Sequence, residues 1–317
     1  MRWIRGTAAI EQPLLRPVLT IGNFDGLHLG HRSIVETVVD RARILDGTAV
    51  VYTFDPHPRA VLQPEQAPRM LVTLDQKLEL LEDLGVDLAI VEPFDAQFAE
   101  VASDAFVVDY VHGRIRPCEV YVGYDFHFGR DREGSMRLLT ETGPQLGFAV
   151  TVIPELRVGG RDVNSTRIRE LLTAGQVEQA GLLLGRPFSI RGEVVEGDRR
   201  GRELGFPTAN LATRNEVLPA AGVYAGRLRR RGSGQASVGE ALPVVANVGQ
   251  RPTFQDGHGL VAEAHVLDFD GDLYGETVDL AFEHRIRDEQ RFPSAEALRQ
   301  QIVLDADEAR NRLAVGR

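Results

Sequence analysis

The hydrophobic pattern of this chain changes period once, near Gly185-Arg186-Pro187, and that change limits the folds open to it. Before it, the apolar runs Val18–Ile21, Ala49–Phe54, Leu88–Val91, Val120–Val122 and Phe148–Ile153 alternate with helical patterns. One helical stretch runs from Arg32 to Leu45. Another opens at Thr73, with Gln76 three residues on as a capping-box partner, and stops before Gly85. Alternation of this kind predicts a parallel sheet with helices on both faces. From Ile190 to Phe282 the pattern becomes short β segments broken by Gly, Pro, Asp and Asn: Gly192–Val195, Val223–Leu228, Val244–Val248, Val261–Leu267 and Thr277–Phe282. They predict a small barrel or sandwich. Ser294 is placed to cap a closing helix whose stripe Leu298, Ile302, Ala306, Ala309 and Leu313 would cover the β structure. The expectation is α/β plus β, with domains 1–184 and 185–317.

A chain of 317 residues is long enough for both. Its formal net charge of −10 argues against a general nucleic-acid binder, and Arg229-Arg230-Arg231-Gly232-Ser233-Gly234 reads as a solvated hairpin loop. Cys118 is the one cysteine, so no internal disulfide forms, in keeping with a reducing cytoplasm. The opening Met1-Arg2-Trp3-Ile4-Arg5-Gly6 lacks a signal-peptide core, and no apolar run has bilayer-spanning length.

The first candidate site is Gly22-Asn23-Phe24-Asp25-Gly26-Leu27-His28-Leu29-Gly30-His31, between a buried strand and a helix. In a parallel sheet, ligands bind beyond the carboxyl ends of strands. Free N–H groups and the dipole at a helix start attract phosphate, and two imidazoles on the same turn add donors. The competing reading is a metal site, since His-x-x-His can share a helix face. Three later segments also follow predicted strands. Phe54-Asp55-Pro56-His57-Pro58 is a rigid extended loop or an ordinary strand exit. Gly123-Tyr124-Asp125-Phe126-His127-Phe128-Gly129 would stack a flat ring or fill a core. Ser165-Thr166-Arg167-Ile168-Arg169 opens a helix, where hydroxyls cap and guanidinium groups match phosphate oxygens.

The second candidate site is Gly192-Glu193-Val194-Val195-Glu196-Gly197-Asp198-Arg199-Arg200-Gly201-Arg202-Glu203-Leu204-Gly205-Phe206-Pro207-Thr208-Ala209-Asn210. It is no Walker loop, but glycines such as Gly201 allow backbone approach to an anion. Thr208 and Asn210 would point one way in an extended segment, and their oxygens suit Mg²⁺. A β-turn leading into an edge strand is the plainer alternative. Glu263 lies in a predicted strand, where glutamate is depleted, and His265 shares its face as a rival base.

Taken in order, these segments resemble the bacterial bifunctional riboflavin kinase/FAD synthetases over nearly the whole chain. The first half is similar to that family's HxGH nucleotidyltransferase module, with its late Ser-Ser-Thr-x-x-Arg-type motif. Asn164 stands where the family usually has serine. The second half is similar to its riboflavin kinase module through the glycine-rich run, through Asn247-Val248-Gly249-Gln250-Arg251-Pro252-Thr253-Phe254, and through Glu263 to Phe269 with Asp272-Leu273-Tyr274-Gly275.

The resemblance implies a Rossmann-like module and a small β-barrel closed by a helix. It implies His28 and His31 at the triphosphate, with Gly22, Asn23, Phe24, Gly26 and Gly30 in the same turn. Ser165, Thr166 and Arg169 would hold phosphates. Pro56, Pro58, Phe126 and Phe128 would help form the adenine and flavin pockets, and Arg287 would line the flavin site of the kinase. Glu263 would be the base for the riboflavin 5′-hydroxyl, with Thr208 and Asn210 on Mg²⁺. The implied partners are ATP, riboflavin, FMN and FAD, for a monomer or weak homo-oligomer. Rival expectations are a kinase alone, an HxGH transferase with another phosphorylated acceptor, and a flavin-binding store without turnover.

Overall fold

Every residue of Pro17–Ile21 is buried, and its side chains divide strictly by parity. Val18 joins one apolar cluster, while Leu19 and Ile21 join another. The same division runs through Ala49 and Val51 against Val50 and Tyr52, and through Ala89 and Val91 against Leu88 and Ile90. Strands buried on both faces need cover on both, which is the parallel-sheet arrangement. The computed structural model describes residues 1–197, 205–232, 237–250 and 260–314. It divides into two compact units, Met1–Asn164 and Ser165–Arg317.

In the first unit, β1 (Arg2–Arg5), β2 (Pro17–Ile21), β3 (Thr48–Asp55), β4 (Leu88–Pro93), β5 (Glu119–Gly123) and β6 (Ala149–Ile153) form one sheet. All pairings are parallel, in the order β1-β4-β3-β2-β5-β6. Helices α1 (Leu29–Ile44) and α2 (Leu74–Asp83) cover the Val18 face through Val35, Val38, Leu78 and Leu81. The helical stretch Phe106–Ile115 covers the other through Phe106, Val107 and Val111. The capping box expected at Thr73 and Gln76 is present in both directions. From β2 the chain crosses by α1 to β3 on one side, while β5 lies on the other. The sheet order therefore switches direction between β2 and β5, where open α/β sheets bind ligands.

The second unit begins with two helices, α3 (Ser165–Thr173) and α4 (Val177–Leu184). It continues into β7 (Phe188–Val195), β8 (Ala209–Thr213), β9 (Gly222–Arg231), β10 (Ser237–Gln250), β11 (Leu260–Val266) and β12 (Thr277–Arg287). These strands close an antiparallel barrel in the order β7-β8-β11-β10-β9-β12. Tyr224, Phe282 and Phe188 meet inside it, and α5 (Ala295–Ala314) packs Ala306, Ala309 and Leu313 on Val223, Ala225 and Val245 outside. Ser294 Oγ accepts from the Ala297 N–H at 3.1 Å, the expected cap.

Two sequence expectations need correction. Arg229, Arg230 and Arg231 are not loop: they extend β9, with Arg230 paired to Glu276 at 2.6 Å and Arg231 to Asp279 at 3.2 Å, while Ser233 and Gly234 lie outside the described residues. Three successive arginines on a strand mimic a solvated run. The segment at Thr208 to Asn210 does not open an edge strand, since β8 is paired with both β7 and β11. The short β1 was missed because Arg2-Trp3-Ile4-Arg5 carries neither a buried run nor clean alternation.

Candidate active sites

At the end of β2 the chain turns through three residues with positive φ: Phe24 at 48°, Gly26 at 77° and Leu27 at 39°. The turn presents His28 as the N-cap of α1. Its Nδ1 accepts from the His31 N–H at 3.2 Å. An accepting Nδ1 carries no proton, so a neutral His28 holds its proton on Nε2. The two imidazoles stack with centroids 3.6 Å apart and planes 18° from parallel, and the Phe24 ring meets His31 edge-on at 5.3 Å. At Gly30 a Cβ would come within 3.3 Å of the His28 ring, so glycine leaves room for the imidazole to lie back over the helix start.

Asp25, beneath this turn, is 2% exposed and accepts from the Leu71 N–H at 2.9 Å. Beside it sits a residue not singled out from the sequence, Lys77 on α2, only 3% exposed. Burial pushes the Lys77 ammonium below the usual lysine range, opposed by the charges of Asp25 and Asp55. Burial, then His28, then Lys77 hold His31 well below the ordinary histidine pKa, so the ring is neutral at pH 7. Nothing in its spacing sets Lys77 apart from a solvated helix lysine except its place on the apolar stripe with Leu74, Leu78 and Leu81. Among the described residues, Nδ1 of His31 and Oδ1 of Asn23 are buried without a hydrogen-bond partner. Buried polar groups are nearly always satisfied, so two orphans in one turn mark a place where a polar ligand completes the structure.

The other expected segments divide. Phe128 is 6% exposed and packs on Phe106 and Phe126 at 5.4 Å each, so it fills the core. Phe126 is half-buried. Pro56 is exposed, and Pro58 begins a short helix capped by His57, whose Nδ1 accepts from the Arg59 N–H at 3.1 Å. Ser165, Thr166 and Arg169 occupy the first turns of α3, which belongs to the second unit.

On the barrel, strand pairing builds the other site. Asn210 of β8 stands opposite Glu263 of β11, which stands opposite Asn247 of β10, and Asn247 stands opposite Val223 of β9. Directly paired residues share a face. Val223 packs under α5, so Asn210, Glu263 and Asn247 form a polar row on the outer wall. Asn210 is 6% exposed. A Cβ on Gly197 would fall 2.3 Å from its Nδ2, so that glycine leaves the space the amide occupies. Thr208 is half-buried just ahead of β8. Hydroxyl, amide and carboxylate oxygens suit a hard divalent cation that keeps water and phosphate ligands. No group of three or more His, Cys, Asp or Glu among the described residues is placed to hold a metal.

His265 lies on the face of Glu263, but its Nδ1 is 2.9 Å from the Pro207 carbonyl. Arg287 is likewise engaged. Its guanidinium forks onto Asp305 at 2.9 and 2.7 Å and donates to the Asp288 carbonyl, tying β12 to α5. Gly201 and the stretch Arg251 to Phe254 lie outside the described residues.

Residues 11–167 match the family model for FAD synthetase, and residues 184–313 match that for riboflavin kinase. A bifunctional riboflavin kinase/FMN adenylyltransferase from Escherichia coli (strain K12) is 39% identical over 311 residues, covering 98% of this chain and 97% of its own. Its counterpart from Bacillus subtilis (strain 168) is 33% identical over 304 residues, covering 95% and 93%. A crystal structure described as a macrolide-efflux protein from Streptococcus pneumoniae is 30% identical, with a TM-score of 0.86 over 98% of this chain and 99% of that one. That description differs from the flavin names. Among the described residues, no helix is long and apolar enough to cross a membrane.

Proposed function

The chain belongs to the bifunctional riboflavin kinase/FMN adenylyltransferase family and carries both activities; from that premise we propose how its residues divide the work. The functional modules are 1–184 and 185–317. In the second, the riboflavin 5′-hydroxyl attacks the γ-phosphorus of ATP, ADP leaves, and Glu263 accepts the hydroxyl proton. The register of Glu263 between Asn210 and Asn247 is the observation that carries this assignment. It sets one carboxylate within a row of neutral oxygen donors. Thr208 and Asn210 fit Mg²⁺, which when bound neutralises charge on the ATP phosphates. Arg287 shapes the flavin site by holding the chain through Asp305.

In the first module the FMN phosphate attacks the α-phosphorus of ATP, and pyrophosphate leaves. That nucleophile is already an anion, so no base is needed. His28 and neutral His31 donate to oxygens whose charge grows during transfer. The orphaned Asn23 and His31 atoms support a polar ligand in this turn. Gly22, Phe24, Gly26 and Gly30 shape the turn, while Ser165, Thr166 and Arg169 take the phosphate-holding role that the motif resemblance implies. Pro56, Pro58, Phe126 and Phe128 contribute, as surface or as support, to the adenine and flavin pockets. We place this work in the cytoplasm, by a monomer or weak homo-oligomer acting without nucleic acid or membrane; the single cysteine and the acidic balance support the compartment and the absence of a nucleic-acid partner.

The experiment is a chromatographic time course with riboflavin, ATP and Mg²⁺. FMN should appear first and FAD after it. His28→Ala with His31→Ala should leave FMN formation intact and abolish FAD formation. Continued adenylylation in that variant would remove the two histidines from the phosphate site.

A further inference from the structure

We infer that His265 is a positioning residue of the riboflavin-phosphorylating site, a latch that holds the segment Phe206 to Thr208 against β11 so that Thr208 and Asn210 stay aligned with Glu263. The inference rests on the kinase reading of the barrel and goes beyond it. That reading names the groups around the reaction but leaves open what fixes their register.

Four observations converge. The paired register of β8 with β11 ends at Ala209 opposite Ala264, so Thr208 stands one step beyond the last pair. Pro207, one step further, has no N–H to donate to a ladder. Its carbonyl instead accepts from the imidazole of His265 at 2.9 Å. The Phe206 ring meets the same imidazole edge-on, with centroids 5.4 Å apart, so two successive residues of the segment rest on one side chain. Gly205, just before them, has φ of 85°, and among the described residues no atom lies within 4 Å of where its Cβ would be.

Side-chain alternation completes the argument. Thr208 and Asn210 share one face of the incoming chain, as Glu263 and His265 share one face of β11. Asn210 and Glu263 are held by strand pairing. Thr208 lies beyond the last register pair of β8 with β11, and the latch takes that part. A carbonyl only accepts, so Nδ1 of His265 carries the proton in this bond, and the lone pair of the neutral ring lies on Nε2. The base role stays with Glu263 as in the kinase reading, His265 acts through Pro207, and the substitutions below separate the two roles.

The test uses the full chain and two substitutions. His265→Asn places an amide nitrogen where the imidazole has Nδ1 and keeps the donor. His265→Phe keeps the ring and removes the donor. The expectation for His265→Phe is about a tenfold rise in the Mg²⁺ concentration giving half-maximal riboflavin phosphorylation, the equivalent of one lost hydrogen bond. Its kcat at saturating Mg²⁺ should be retained, and His265→Asn should stay close to the parent. Hydrogen exchange in metal-free protein gives a readout independent of turnover. Peptides over residues 205–210 should exchange faster in His265→Phe, while those over residues 223–228 should not change. FMN adenylylation by the same samples should proceed at the parent rate, which reports folding of the chain. Equal collapse of kcat in both variants would overturn the inference in favour of His265 as the base. Unchanged Mg²⁺ dependence and unchanged exchange in His265→Phe would overturn it outright. A parent protein that makes no FMN from riboflavin would instead strike the kinase reading itself, and the exchange experiment would still decide whether the latch exists.

Discussion

Gly197→Ala offers the sharpest test of the barrel site, because its effect can be worked from one distance. Gly197 does not have a positive φ, so alanine introduces no backbone strain. The added Cβ, however, would lie 2.3 Å from Nδ2, 2.5 Å from Cγ and 2.6 Å from Oδ1 of Asn210, where ordinary contact begins at 3.4 Å. The amide must retreat by about 1 Å, and it is 6% exposed with little open space to enter. A displacement of about 1 Å in a positioning group costs on the order of 10²-fold in rate. Overpacking of this kind also costs ~1–3 kcal/mol of stability, or about 2–4 °C of Tm per kcal/mol in a unit of this size. The expected outcome is a riboflavin kinase rate lowered on the order of 10²-fold, with a Tm loss of a few degrees. FMN adenylylation, assayed on the same sample with supplied FMN, should be unaffected. A folded Gly197→Ala protein that phosphorylates riboflavin at the parent rate would refute the reasoning. Asn210 would then tolerate a displacement that no ligand to phosphate or metal tolerates.

Four further outcomes follow from other parts of the structure. Glu263→Gln should abolish FMN formation from riboflavin and spare FAD formation from supplied FMN, and normal phosphorylation would discard Glu263 as base. The depressed pKa of His31 makes stability pH-dependent with a defined sign. Below ~6.5 the unfolded histidine gains a proton that the folded one refuses, so this contribution is present above that pH and lost as pH falls toward the folded value. Melting curves from pH 7.5 to 5.5 should therefore fall more steeply for the parent than for His31→Gln. Lys77→Met should raise the His31 titration seen by NMR, and identical behaviour in these comparisons would show that burial and Lys77 do not act on His31. Asp305→Ala should lower stability by ~3–5 kcal/mol, because it strands the Arg287 guanidinium. Calorimetry showing no change would mean that the pair does not anchor α5.

Periodicity and caps are local, and they were legible to within a few residues. The buried run at Val18, the capping box at Thr73 and Gln76, and the serine cap at Ser294 all depend on neighbours in sequence. The histidine turn was legible for the same reason, since Gly22 to His31 is contiguous and its glycine at position 26 answers a positive φ within the turn itself. The family resemblance added the roles of Glu263, Thr208 and Asn210, which spacing alone left open between chemistry and an edge strand.

What the tertiary structure decided is where distant residues meet. The identity of Asn247 and Asn210 as neighbours of Glu263 exists only through the ladders of β8, β11 and β10. Lys77 became a buried cation because α2 folds over the Asp25 turn, and Phe128 became core because Phe106, far from it in sequence, packs against it in the same apolar cluster. The contact of the His265 imidazole with the Pro207 carbonyl, 58 residues away in sequence, likewise exists only in the fold. A sequence records which groups a chain carries and which local shapes they favour. Burial and pairing, which set the charge and the partners of those groups, arise from contacts between segments far apart along the chain.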